Sequence, residues 1–341
     1  MKGSDTSVAG QIREMNILRG FAIFGVVLFH CRIMDPELWC FFHGVYNFVG
    51  DWVLSVFMMV AGFFAVKIWD IKTSRQYLDF MKDKVRRLAI PYLVLSFVAI
   101  PIKLILNSYS YRPFELNMLL KDVFLYPNHH PISQFWFIYV LFLLFIITPV
   151  FNRISLNKAT FAALVLTFLP IHTKIFLLSD LVYFLFPFLL GMVLNRNYDK
   201  FVALENKPLL AVVGFLILIL PGGIGNWVVP PRLFNLGIEM GGIMWALATA
   251  YLLRNSRYLG TVFENMGIYN YDIYLLSWFF QTAVRIVFYQ MFKWDVNLVA
   301  SLMALTGVAG PMLISKYFLK KFDLTNRFIL GNKSTKIQVP A

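Results

Sequence analysis

About ten apolar stretches of membrane-spanning or nearly membrane-spanning length recur along this chain. They lie roughly at residues 17–35, 44–66, 88–107, 133–151, 159–172, 176–194, 208–222, 233–253, 267–290 and 296–317. In lipid no water satisfies a bare amide, so runs of this length must be helices. A β-barrel would show short alternating segments instead. Residue usage agrees: 59% of the chain is hydrophobic, 17% aromatic and only 14% charged. The expected fold class is all-α, a polytopic helical membrane bundle of about ten transmembrane helices. The stretches near 159–172 and 208–222 are short and are expected to be tilted, broken or extended by flanking residues.

The basic residues orient the bundle. With the N-terminus in the cytoplasm, ten spans return the C-terminus to the same side, and 23 of the 31 Lys and Arg residues fall in cytoplasmic segments. That bias predicts both termini cytoplasmic. The net charge of +13 is therefore read as orientation and attraction to membrane lipid, not as nucleic-acid binding. Residues 1–14 are polar and carry no small-residue cleavage site after the apolar run, so the first span is expected to be retained. No linker, low-complexity tract or convincing repeat divides the chain, which is read as one membrane domain, 1–341, with a cytoplasmic tail from 318.

Within the first span, Arg19 and His30 stand eleven residues apart. On a helix that separation rotates by roughly 20° past three turns and rises roughly 16 Å, so both side chains share a face. A cation at the cytoplasmic surface and an imidazole well inside the membrane are costly to place in lipid. The pair suits a long anionic ligand held at its charged head with its reactive tip reaching the imidazole. The bland alternative is an interfacial anchor and a hydrogen-bonded interior histidine. Arg86 and Arg87 precede Pro91-Tyr92 at the start of the third span, on the same side as Arg19. Guanidinium groups at a helix N-terminus make an anion site, although a basic loop also fixes topology by itself.

The two cysteines, Cys31 and Cys40, are read as buried thiols, with a disulfide the alternative in an oxidising compartment. No metal site is expected, since none of the five histidines has Cys or carboxylate neighbours at ligand spacing.

Taken in order, several segments are similar to the acyltransferase-3 family of membrane O-acyltransferases. Asn16-Ile-Leu-Arg19-Gly20 through His30 resembles the family's opening helix, and Leu54 through Gly62-Phe63 its Phe-rich second span. Arg86-Arg87-Leu-Ala-Ile-Pro91-Tyr92 resembles the basic-then-proline start of the third. Gln134-Phe135-Trp136-Phe137, Phe188 through Met192, and Gly267 through Trp278 resemble later segments. Asn16 stands where the family often has an acid, Ala61 where serine is frequent, and Ser277 where a second histidine is common.

The resemblance implies transfer of an acyl group, usually acetyl, from cytoplasmic acyl-CoA to a sugar hydroxyl of a cell-surface or lipid-linked glycan. It implies a multi-pass protein of the bacterial cytoplasmic membrane, with acyl-CoA as donor substrate and no permanently bound cofactor. Arg19, Arg86 and Arg87 are the candidates for the donor's phosphates, and Trp136 for lining the acyl tunnel. His30 is the candidate general base, with a transient acyl-imidazole as the alternative. Such an imidazole needs a partner to set its tautomer, and Asp51 and Glu239 are the candidates. Arg285 is a possible counter-ion for Glu239, and Asp272 lies nearer the cytoplasm. The sequence leaves room for a homo-oligomer. The runner-up function is a secondary transporter of an anionic metabolite or glycan lipid.

Overall fold

The structure is a computed structural model that describes residues 5–33, 41–50, 52–109, 115–169, 171, 173, 175–219 and 231–333. It is built of helices, with no strand among the described residues. In chain order they are α1 (Asp5–Phe29), α2 (Phe41–Gly50), α3 (Val53–Phe64), α4 (Ser74–Lys84), α5 (Ile90–Ile105), α6 (Leu119–Phe124), α7 (Trp136–Ile147), α8 (Leu156–Leu166), α9 (Leu178–Arg196), α10 (Tyr198–Ala203), α11 (Lys207–Ile219), α12 (Pro231–Leu253), α13 (Leu259–Ile268), α14 (Asn270–Val284), α15 (Val296–Ile314) and α16 (Asp323–Phe328). Wider π-helical turns at Val85–Ala89, Arg285–Met291 and Ser315–Leu319 join α4 to α5 and extend α14 and α15.

Each expected apolar stretch carries a helix, but among the described residues five helices are long and apolar enough to cross a membrane alone. They are Ser74–Ile105, Ser133–Arg153, Ile175–Arg196, Arg232–Leu253 and Val296–Leu319. The bent pair α2–α3, angled by 41°, makes a sixth if it is counted as one span. The others fall short for visible reasons. Arg13, Glu14 and Arg19 interrupt α1, α8 has 11 residues, and of α11 only 13 residues are described. Asp272 and Arg285 interrupt the stretch that holds α14.

Lipid tails are as apolar as leucine, so helices in a bilayer associate by close packing where small residues allow it. Here glycines bring backbones into contact. A Cβ on Gly20 of α1 would stand 1.8 Å from the Phe263 carbonyl oxygen of α13, and one on Gly267 would meet the Asn16 oxygen at the same distance. Gly62 of α3 and Gly191 of α9 form an equivalent reciprocal pair. These contacts seat α1 centrally, against α13, α12, α3 and α14. Its N-terminal part is also held by polar groups. Arg254 donates to Glu14 at 2.7 Å, Tyr198 donates to the same carboxylate, and Arg13 pairs with Glu264 at 3.2 Å. The Glu14 hydrogen bond holds the Arg254 guanidinium above its ordinary pKa.

Candidate functional site

Helix α1 ends at Phe29, and His30 follows in the turn, its amide bonded to the Val26 and Val27 carbonyls at 3.2 Å. The imidazole therefore sits where the helix opens, with the Phe29 ring edge-on at 5.3 Å. It lines a cavity of about 550 Å³, whose wall includes Arg32, Trp136, Trp278 and Arg285. It also lines a recess of about 30 Å³ between Val26, Val53, Leu54, Gln134, Phe137 and Tyr274. His30, Phe29 and Trp136 line both spaces. The imidazole thus stands at the junction of a ligand-sized cavity and a recess that holds about one water.

A clasp between α14 and the start of α7 frames the recess. The Gln134 amide donates to the Tyr274 carbonyl, and the Tyr274 hydroxyl donates back to the Gln134 carbonyl. Gln134 also donates to Ser277 at 3.3 Å. Its own side-chain oxygen is buried with no hydrogen-bond partner among the described residues. A buried acceptor left without a partner is costly and ready to receive an N–H or O–H.

At the other end of α1 the arginines separate. The Arg19 guanidinium packs 3.7 Å over the Phe64 ring and bonds Asn16 at 3.3 Å. Arg87 lies near enough for each to feel the other's charge. It packs 4.8 Å over Tyr271 and donates to Asn332 at 2.5 Å. Like charges held together in this way invite an anion. Arg86, one residue earlier, instead pairs with Asp83 at 2.7 Å, and Lys333 joins that carboxylate at 3.8 Å. The π-helical turn at Val85–Ala89 thus carries two adjacent arginines in different environments. The chain turns at Gly331, whose φ of +64° suits glycine, and presses against the Arg86 and Arg87 backbone.

Other candidates fall elsewhere. Glu239 is buried on α12 and accepts from Ser55 of α3 at 2.8 Å, and it lines neither space beside His30. Trp136 stands beside His30 rather than among the arginines. Arg285 is on the wall of the larger cavity and donates to the Tyr109 carbonyl at 3.3 Å. Asp272 is held by Lys320 at 2.8 Å and Ser315 at 2.5 Å. Asp51 and Cys40 lie outside the described residues. The Cys31 thiol is buried and bonded to the Val27 carbonyl at 3.1 Å.

Sequence reasoning assigned no role to Gln134, Tyr274, Arg32, Trp278, Tyr271 or Asn332. Gln134 is a polar residue at the edge of an apolar run, a signal that was available. Tyr274 is one aromatic among many, and the approach of Asn332 to Arg87 spans 245 residues, so no local pattern announces it.

Residues 12–316 match the sequence profile of a family described as an acyltransferase domain. Comparison with curated proteins and with solved structures gives no match.

Proposed function

The chain belongs to the acyltransferase-3 family, and on that premise we propose that it transfers an acyl group, acetyl in the simplest case, from cytoplasmic acyl-CoA to a hydroxyl of a cell-surface or lipid-linked glycan. In this reading it is an O-acyltransferase of the bacterial cytoplasmic membrane, with ten helical segments in the bilayer and both termini inside. The observation that supports it best is the position of His30, on the wall of both a ligand-sized cavity and a small recess and on the helix that carries Arg19.

Arg19 and Arg87 hold the donor's phosphates in the most direct form of this mechanism. The rise from Arg19 to His30, roughly 16 Å, is spanned by the pantetheine arm. The recess is about 30 Å³, so Leu54, Phe137 and Trp136 must rotate to admit the arm and thioester. The acceptor enters from the larger cavity. His30 takes the proton of its hydroxyl as the oxygen attacks the thioester carbonyl. The C–S bond then breaks, and the proton passes to the departing CoA thiolate. In this mechanism the orphan Gln134 oxygen, which lines the same recess as His30, receives an N–H of the pantetheine amide.

Purified protein incubated with labelled acetyl-CoA tests the reading. Label on a glycan acceptor, or slow thioester hydrolysis without one, is the expected result. Movement of substrate across vesicles with no covalent change would replace it with the transporter.

A further inference from the structure

The larger cavity has a charge that the transfer chemistry does not require. Among its described lining residues are three cations, Arg32, Lys103 and Arg285, and one carboxylate, Asp180. Such an excess in a partly buried space costs desolvation that a bound anion offsets. The charge is also placed with purpose. Arg32 is two residues beyond His30 on the same turn, so their backbones are at most about 7 Å apart. Its guanidinium lies 4.6 Å over the Tyr46 ring, which stacks on Phe29 at 4.2 Å. Its Nε is buried with no hydrogen-bond partner among the described residues. Trp136 and Trp278 supply flat apolar surface on the same cavity, of the kind on which the C–H face of a pyranose packs. The volume, about 550 Å³, is in the range of small-ligand sites.

Resting on the acyl-transfer reading above, we propose that the acceptor is an anionic sugar. One ring packs on the tryptophans with its hydroxyl at His30, and an oxyanion attached to that ring or to the next group is held by Arg32 and Arg285. The shared chemistry is an oxyanion within a few ångströms of the acylated hydroxyl. It has two sources, the carboxylate of an acidic sugar or the phosphate that links a sugar to a lipid carrier.

The test uses the full-length protein in detergent, with tryptophan fluorescence as readout and three probes: glucuronate, glucose 1-phosphate and glucose. At least one anion is expected to half-saturate at a concentration tenfold or more below that of glucose, and to weaken as salt rises. Whichever anion is preferred identifies the source. Arg32→Gln and Arg285→Gln are each expected to raise that concentration tenfold or more. Arg32→Lys is expected to restore part of the affinity, which separates lost charge from lost fold. Equal binding of glucose and both anions, binding indifferent to salt, or no binding of any probe would overturn the proposal. Failure of the acyl-transfer reading would look different: no turnover of acetyl-CoA, beside intact anion-selective binding.

Discussion

The two ends of α1 are built on opposite principles. The N-terminal part is packed backbone to backbone at Gly20 and Gly267 and tied by Glu14 to Arg254 and Tyr198. The C-terminal end stops at His30 and borders a cavity of about 550 Å³. One helix therefore joins a packed anchor to an open cavity. That division suits a reaction in which a long donor is held at one end while the chemistry occurs at the other. It also explains why substitutions only a few turns apart should report on different properties, chemistry at one end and assembly at the other.

The largest expected effect is at the open end. In the proposed mechanism His30→Ala removes the group that takes the acceptor proton, and transfer should fall by about 10²–10⁴-fold. The protein should still fold and bind acyl-CoA, because the anchor lies elsewhere. Rates from labelled acetyl-CoA, beside CoA affinity, measure both halves of that statement. Wild-type transfer should also decline as pH falls, since a protonated imidazole has no lone pair to accept the proton. Near-normal transfer by a well-expressed His30→Ala protein would move the chemistry away from the open end.

Next comes the anchor. A Cβ at Gly20 meets the Phe263 carbonyl oxygen at 1.8 Å, and neither backbone can yield by side-chain rotation. Gly20→Ala should therefore destabilise the bundle by about 1–3 kcal/mol or more, the range for overpacking. Thermal unfolding in detergent should show a lower midpoint and a lower folded yield. An unchanged midpoint would mean that α1 and α13 separate freely and that the anchor is not rigid.

The bundle was legible where periodicity is strong, and the site only where an ionisable residue interrupts an apolar run. Arg19 and His30 stand out because charge and imidazole are costly in lipid. The grouping of Arg19 with Arg87 was foreseen, but the separation of Arg86 was not. It depends on a π-helical turn and on Asp83, which redirect neighbouring side chains in ways no spacing rule predicts. Glu239, a lone carboxylate in a span and read as a candidate partner of His30, accepts from Ser55 between α3 and α12, a contact across 184 residues that no local pattern announces. Glu14 lies in the first span's polar approach, and its partners at 198 and 254 come from distant helices, so its clamp was invisible.

Two adjacent arginines sharpen the comparison at the anchor itself. Arg87→Ala should weaken acyl-CoA binding by about 1.5–3 kcal/mol if it makes a charge-assisted phosphate contact. Arg86→Ala removes a partly exposed ion pair to Asp83 and should cost about 0–1 kcal/mol of stability, with CoA affinity little changed. Titration of the purified variants with CoA distinguishes them. Equal losses would return both residues to a shared basic surface and remove the directional reading of the π-helical turn.

The smallest effect repeats the anchor's substitution beside the open end. Gly44 lies in α2, on the helix that carries Tyr46 and Gly50 to the two spaces beside His30. A Cβ there meets nothing within 4 Å. Steric cost is thus absent, and only the backbone preference remains. Alanine is favoured over glycine inside a helix by about 0.8–1.0 kcal/mol, partly through the entropy of the unfolded chain. Gly44→Ala should therefore raise the unfolding midpoint slightly and leave acetyl transfer unchanged, where Gly20→Ala lowers the midpoint. The opposite signs come from one chemical change at two helices with different neighbours, so local propensity cannot produce them together. A loss of stability at Gly44 would reveal a hidden contact on α2 and end the distinction between a packed anchor and an open chamber. A gain in stability with loss of transfer would show instead that α2 must flex for the cavity to admit its substrate.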